Sequence, residues 1–421
     1  MHILLVETTS VRGFDIVEEM ADAGIEVSFL ARNLAQALAP HDPAQVARAA
    51  RLVEAPELGR DIDLATLLEG RLGPNRLDGV ICREEACLRD VARLTTALGL
   101  PGESEETARR LVDKAAVRER VAQAGLGALR WRAVRSPEEA RGAAAEIGYP
   151  LVVKPTTQTG WSIGVSVVHD AHGLDAALSA AMRSAGAVVL LEEFVPGRLV
   201  SAEILVQDGE PLLLGFGERV PCPPGVTAEL GGHFPARFEG VEAAESFARD
   251  VVRALGVRNS PIHMEMMITA RGPELVEVNG RIAGYVVMQQ MSHALGRSIA
   301  MDLVAVATGR PLAPPGPPVA AVAIRPLWSD RAGTVTAVRR DVRLHPDVIL
   351  HGLSVAAGSR VAPLRTNSDR FGFVLARGGD AQTASDIAAH AAATLLESVE
   401  IAWDDAAEIL PFPADARLEE T

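Results

Sequence analysis

Glu265, Glu277 and Asn279 are three hard oxygen donors on two short apolar runs, and Arg281 closes the same segment, HMEMMITARGPELVEVNGR. Val276 and Val278 alternate with Glu277 and Asn279, so a strand here turns its polar pair to one face. Glu265 lies twelve residues before Glu277 on the run His263–Thr269, and the ARGP break at Ala270–Pro273 supplies a turn between them. A hairpin folded there brings Glu265 beside Glu277 and Asn279. Such a set suits Mg²⁺ that also holds phosphate oxygens, with Arg281 as a fixed positive charge at its edge. For either glutamate alone, an ordinary hairpin with solvent-facing acids is the better reading. The acid–amide–arginine alternation, with a partner acid one hairpin away, reverses that preference.

A metal–nucleotide site also needs phosphate-handling parts upstream. Lys154 ends an apolar strand and is followed by PTTQTGWSIGV. Gly160 and Gly164 bracket a small-residue loop that includes Ser162; backbone N–H groups can approach an anion there while the ammonium neutralises it. A plain hairpin with a snorkelling lysine competes with this reading. Trp161 is unusual in a phosphate flap; it either packs on another domain when the flap closes or fills an apolar gap. Lys114, in VDK, reads on its own as a solvated helix lysine. Glu192, Glu193, Phe194 and Val195 leave a strand and run into Pro196-Gly197. That edge is either an ordinary strand end or an offer of backbone groups and apolar walls to an adenine.

In this order the pieces resemble the ATP-grasp superfamily: a helix lysine, a strand lysine with a loop, Glu-Glu-aromatic-apolar, then Glu…Glu-x-Asn. The resemblance covers about residues 1–315. It implies ATP phosphates on Lys114, Lys154 and the loop Gly160, Ser162 and Gly164, with adenine lined by Glu192, Glu193 and Val195. It implies Mg²⁺ on Glu265, Glu277 and Asn279, with two ions expected and Mn²⁺ as an alternative, and Arg281 as the catalytic residue facing the acyl group. The family's ribose acid, four positions after Val195, is Leu199 here, and Glu203 is the expected substitute. TAELGGHFP, Thr227–Pro235, resembles the Glu-x-Gly-x-His-x-x-Pro-type segment of the L-amino-acid ligase branch, with one glycine inserted at Gly231-Gly232. That likeness puts Glu229 and His233, with Arg281, at the substrate. The run GSRVAPLRTNSDRFGFVLARGGDAQTA also resembles the tail of these ligases and of glycinamide ribonucleotide synthetase.

The activity implied is ATP-dependent joining of a carboxylate to an amine through an acylphosphate. Glu-x-Asn-x-Arg also resembles biotin carboxylase, but a biotin-carrier segment of the Met-Lys-Met type is missing from this sequence. A nucleotide-binding regulator without turnover is the reading from another class. Retention of both lysines, the metal residues and Arg281 argues against it.

The elements that must position these residues read as α/β and α+β. Short apolar strands at Ile3–Val6, Ile25–Leu30 and Gly79–Cys82 alternate with helical patterns, as in a parallel α/β sheet. Residues 1–110 are thus expected to form a parallel α/β domain, which the resemblance implies is the family's pre-grasp domain. Residues 111–195 hold a linking helix and a small lid subdomain, with a capping box predicted at Ser136 and Glu139. Residues 196–315 form the large subdomain with the metal site, on an antiparallel sheet. RPLAPPGPPVAA at 310–321 marks a boundary before a C-terminal α+β extension, 316–421.

At 421 residues with 48% hydrophobic and 23% charged residues, the chain has ample material for a large core. Its formal charge of −14 excludes non-specific nucleic-acid binding, which needs basic surface. Cys82, Cys87 and Cys222 are too few for a disulfide scaffold. MHILLVETTS reads as a first strand rather than a leader, and no stretch is long and apolar enough for a membrane span. A cytoplasmic homodimer acting on small carboxylates and amines is expected.

Overall fold

The first strand, His2–Val6, is buried along its whole length, as strands of a parallel sheet covered on both faces are. It pairs in parallel with Glu26–Ala31 on one side and Gly79–Cys82 on the other, and Arg51–Glu54 extends the sheet beyond Glu26–Ala31. The computed structural model describes residues 1–8, 12–73, 76–157, 162–185, 188–221 and 228–404. Gly160 and Trp161 of the expected phosphate loop lie outside them.

A second sheet forms the lid. Its antiparallel order is Trp131–Val134, Val189–Glu193, Leu151–Pro155 and Ser166–Val168. The helices Pro137–Ile147 and Ala171–Ala185 share its apolar core through Ala140, Ala144, Leu174 and Leu178. Ser136 caps the first of them, its hydroxyl accepting from the Glu139 N–H at 3.1 Å. The reciprocal arm of the predicted capping box is displaced by one residue, because the Glu139 carboxylate accepts from the Arg135 N–H at 2.7 Å.

The third sheet is large and antiparallel throughout. Its order is Gly272–Asn279, Ser260–Thr269, Arg198–Gln207, Glu210–Pro221, Glu229–Phe234, Ala321–Leu327, Gly372–Gly378 and Val348–Leu353. The proline-rich stretch 310–320 carries no helix or strand, yet the sheet continues across it. Ala321–Leu327 pairs with Glu229–Phe234 on one edge and with Gly372–Gly378 on the other.

Helices Val287–Leu295 and Ile299–Thr308 join the parallel sheet to the large one. Their Met291, Leu303 and Val304 share one core with Ile3 and Phe29 of the first sheet and Leu375 of the third. Ile299–Thr308 is buried on nearly every side, as an apolar helix between two layers must be. The shared core gives the site a common support. No helix among the described residues is long and apolar enough to cross a membrane.

Candidate active site

The hairpin expected from the sequence forms, with Glu265 and Glu277 directly opposite each other and His263 opposite Asn279. Its turn is tighter than ARGP suggests. Thr269 pairs with Gly272, so the loop is Ala270-Arg271, and Pro273 already lies in the strand opposite Ile268. Proline is tolerated because Gly272–Asn279 is an edge strand, where a missing N–H breaks no ladder bond.

Glu265 does not stand alone. Its carboxylate lies 3.3 Å from His263 Nε2, while His263 Nδ1 lies 2.8 Å from the buried Glu203. Burial opposes a charged imidazole, but the Glu203 carboxylate outweighs it and the His263 pKa is pushed up to about 9. Glu203, expected at a ribose, is therefore a buried partner of His263 in this structure. The reason is register: Glu203 pairs with His263 across the neighbouring strand, on the same face as Glu265.

Lys114 and Lys154 converge on the same hairpin. Asp113 caps the helix Lys114–Gln123 by accepting from the N–H groups of Ala115 and Ala116, at 2.9 and 3.3 Å. The Lys114 N–H donates to the Thr156 carbonyl at 2.8 Å, tying this helix to the loop after Lys154. Lys114 Nζ lies 2.8 Å from Glu277 Oε1. Burial disfavours its charge, yet Glu277 holds its pKa above the ordinary lysine value. Lys154 Nζ lies 2.7 Å from Glu192 and donates to the Val276 carbonyl at 3.0 Å.

Glu192 also pairs with Arg118, whose guanidinium reaches the Val276 carbonyl at 3.1 Å. All three side chains of this triad are almost wholly buried. Burial works against the Glu192 charge, but Arg118 and Lys154 together keep its pKa low. The Glu192 side chain thus holds Lys154 in place rather than facing a base. Glu193 is engaged by Arg130 at 3.2 Å and Arg271 at 3.4 Å, and its N–H donates to the Arg130 carbonyl. Val195, past the strand end, lines the cavity with Ser162. Gly164 sits at φ +76°, where a side chain is strained, and a Cβ there would meet Ser184 Oγ at 2.7 Å.

These groups border one cavity of about 780 Å³ between lid, parallel unit and large sheet. Glu265, Glu277 and Asn279 offer hard oxygens from one sheet face, and the Lys114 ammonium already sits against Glu277 as a cation. Among the described residues no group of three or more His, Cys, Asp or Glu gathers as a metal cage. Two carboxylates and an amide suit Mg²⁺, which keeps waters and takes its remaining ligands from phosphate.

An ATP-grasp domain family matches residues 147–289, the stretch from the lid strands to the helix after Arg281. Residues 147–289 are an ATP-grasp domain. A second family, L-amino acid ligase C-terminal domain 2, matches residues 325–400. The chain is 28% identical over 391 residues to the uncharacterized protein y4rH of Sinorhizobium fredii, covering 89% of this chain and 78% of that one. It is 26% identical over 262 residues to the alanine–anticapsin ligase of Bacillus subtilis, covering 54% of this chain and 53% of the ligase, so it matches about half of that protein's length. The crystal structure of an L-amino acid ligase from Bacillus licheniformis superimposes with a TM-score of 0.76 at 20% identity, over 96% of this chain and 99% of that one. The chain thus has the ATP-grasp fold, and the named relatives it resembles are amino-acid ligases.

Glu229, His233 and Arg281 also line this cavity. The doubled glycine has a structural cause. The pairing of Arg219 with Gly232 and of Pro221 with Glu229 leaves one extra residue on the Glu229–Phe234 strand, a β-bulge. Gly231 sits there at φ +125°, and a Cβ would meet the Ile324 carbonyl oxygen at 2.2 Å. His233 Nε2 lies 3.5 Å from Glu218, and burial lowers its pKa. Arg281 Nε lies 3.8 Å from Glu85 Oε1, and burial raises the Glu85 carboxyl pKa. Glu85, His263, Arg118, Arg219 and Arg370 are cavity or support residues that the sequence reading did not single out.

Proposed function

We propose that this chain is an ADP-forming ligase of the L-amino-acid ligase kind, joining an amino acid or similar carboxylate to an amine through an acylphosphate. The observation that carries the reading is the meeting of both lysines with the acid hairpin, Lys114 at Glu277 and Lys154 at the Val276 carbonyl, in a cavity that Glu229 and His233 also line. The lysines and the acid hairpin handle phosphate, and Glu229 and His233 offer polar groups to a small polar substrate.

A free carboxylate is a poor acyl donor because its leaving group would be oxide. Attack of a carboxylate oxygen on the γ-phosphorus breaks the bond to ADP and leaves an acylphosphate. The amine then adds to the acyl carbon, phosphate departs, and the amine proton is lost to give the amide. Lys114 and Lys154 neutralise phosphoryl oxygens, where charge accumulates during transfer. Mg²⁺, held by Glu265, Glu277 and Asn279, would neutralise the same oxygens further. Arg281, two residues beyond Asn279, supports the tetrahedral oxyanion. The Ser162–Gly164 segment and the lid keep water from the acylphosphate.

The test is a screen of phosphate release against the twenty amino acids in pairs, with product mass spectrometry. The reading requires ADP release that depends on substrate and a product whose mass is that of the two components less one water. ATP turnover indifferent to every pair would contradict it.

A further inference from the structure

Lys114 and Arg118 stand one turn apart on the helix Lys114–Gln123 and so share one face of it. That face meets consecutive residues of the acid hairpin: Lys114 reaches the Glu277 carboxylate at 2.8 Å, and Arg118 donates to the Val276 carbonyl at 3.1 Å. Val276 has no residue opposite it. Glu265 pairs with Glu277 and Met266 with Leu275, which leaves Val276 as the extra residue of a β-bulge. Its carbonyl serves two cations instead, the second being Lys154 at 3.0 Å. The same two cations divide the Glu192 carboxylate, Arg118 Nε on one oxygen and Lys154 Nζ on the other at 2.7 Å. Lys154, Glu192 and Val276 line the cavity, whereas Arg118 is buried and outside its lining. Glu277, the next acid whose charge Lys154 feels, is paired with Lys114.

We propose that Arg118 is a positioning residue for the nucleotide: by taking one Glu192 oxygen and sharing the Val276 carbonyl, it holds Lys154 with a donor and charge to spare for a phosphate oxygen. This rests on the reading of Lys154 as a phosphate ligand. An ammonium has three N–H donors, and Glu192 and Val276 use two of them. While one carboxylate serves two cations, Glu192 does not neutralise Lys154 outright. Without the guanidinium both Glu192 oxygens turn to Lys154, and phosphate has to break a closed buried pair. The fork of an arginine reaches a carboxylate oxygen and a carbonyl at once, whereas the R118K side chain offers a single point charge.

The experiment measures ADP and adenosine binding by calorimetry, in Mg²⁺, for wild type, R118Q, R118K and the double variant R118Q/E192Q, with the competent fraction read from the stoichiometry. The proposal expects R118Q to weaken ADP by roughly ten- to hundredfold, the scale of a hydrogen bond to a charged group, and to leave adenosine unchanged. R118K should lose less. The double variant should regain most of the ADP affinity, because removing the Glu192 charge releases Lys154. A role confined to folding gives another pattern: ADP and adenosine weaken together, and the double variant binds ADP worse than R118Q. Either result overturns the proposal, as does R118Q with wild-type ADP affinity. If R118Q does not fold, R118K carries the test: a loss of ADP affinity without loss of adenosine affinity supports the positioning role, and equal losses or none overturn it. Wild type without ADP affinity contradicts the nucleotide reading of the cavity and takes the role of Arg118 with it. In wild type that binds ADP without substrate-dependent turnover, the ligase reading alone fails, and a selective ADP loss in R118Q still supports Arg118.

Discussion

The Lys114 ammonium lies 2.8 Å from a carboxylate oxygen of Glu277. One residue was expected at ATP phosphates and the other at a metal ion, and they meet across two elements. The lysine supplies the positive charge that Glu277 requires. On the proposed function, Glu277 would pass to the metal and Lys114 to phosphate when both bind.

Lys114→Met separates these roles. Without divalent metal the variant should lose about 1–3 kcal/mol of stability, because a buried carboxylate loses its partner. Added Mg²⁺ should restore part of that loss in the variant and do less for the wild type. Thermal melts in EDTA and in Mg²⁺ check this; an equal deficit in both media would mean that Glu277 does not face the metal.

Arg118 tests the support rather than the chemistry. Arg118→Met leaves Glu192 with Lys154 as its remaining close cation and strips a donor from the Val276 carbonyl. A loss of about 3–5 kcal/mol is expected from breaking a buried charge pair. Denaturant unfolding measures it, and a change below ~1 kcal/mol would place the triad among pairs that contribute little.

His263→Leu should raise the Mg²⁺ concentration needed for half-maximal activity. His263 fixes the Glu265 carboxylate from behind, and partners of metal-ligating side chains typically matter by about 10- to 100-fold in affinity. Competition between Mg²⁺ and spin-detected Mn²⁺ reads this without turnover. Unchanged metal affinity would make His263 a partner of Glu203 alone.

How much of this was legible in the sequence follows from the range of each interaction. Glu265, Glu277 and Asn279 lie on one hairpin, so alternation and a turn were enough to bring them together. Lys154 was placed at the end of its strand for the same local reason. His263–Glu203 and Arg118–Glu192 join residues 60 and 74 positions apart, and no periodic pattern links such pairs. Glu203 was expected at a ribose only as a substitute for the acid missing at Leu199; its cross-strand pairing with His263 lay outside that reading. Arg219 and Arg370 were invisible for another reason: a lone arginine reads as an ordinary surface residue until the fold brings its partner, here Glu229. The parallel unit was clear from its short apolar strands, whereas Trp131–Val134 was missed because four residues at a sheet edge carry little pattern.

Arg281 distinguishes the two chemical steps. Arg281→Lys keeps a charge but loses the planar fork. Acylphosphate should still form and be trapped by hydroxylamine, while amide product falls by about a hundredfold, the scale of removing one oxyanion donor. Loss of ATP affinity with amide formation per bound nucleotide preserved would make Arg281 a nucleotide ligand.

The most direct measurement follows oxygen. A donor whose carboxylate carries ¹⁸O at both positions is turned over with ATP and an amine, and the inorganic phosphate is analysed by mass spectrometry or ³¹P NMR. Passage through an acylphosphate transfers one labelled oxygen to phosphate and leaves the other in the amide. Phosphate released without label, alongside amide formation or donor-dependent ADP release, would contradict the acylphosphate route on which this account of the site is built.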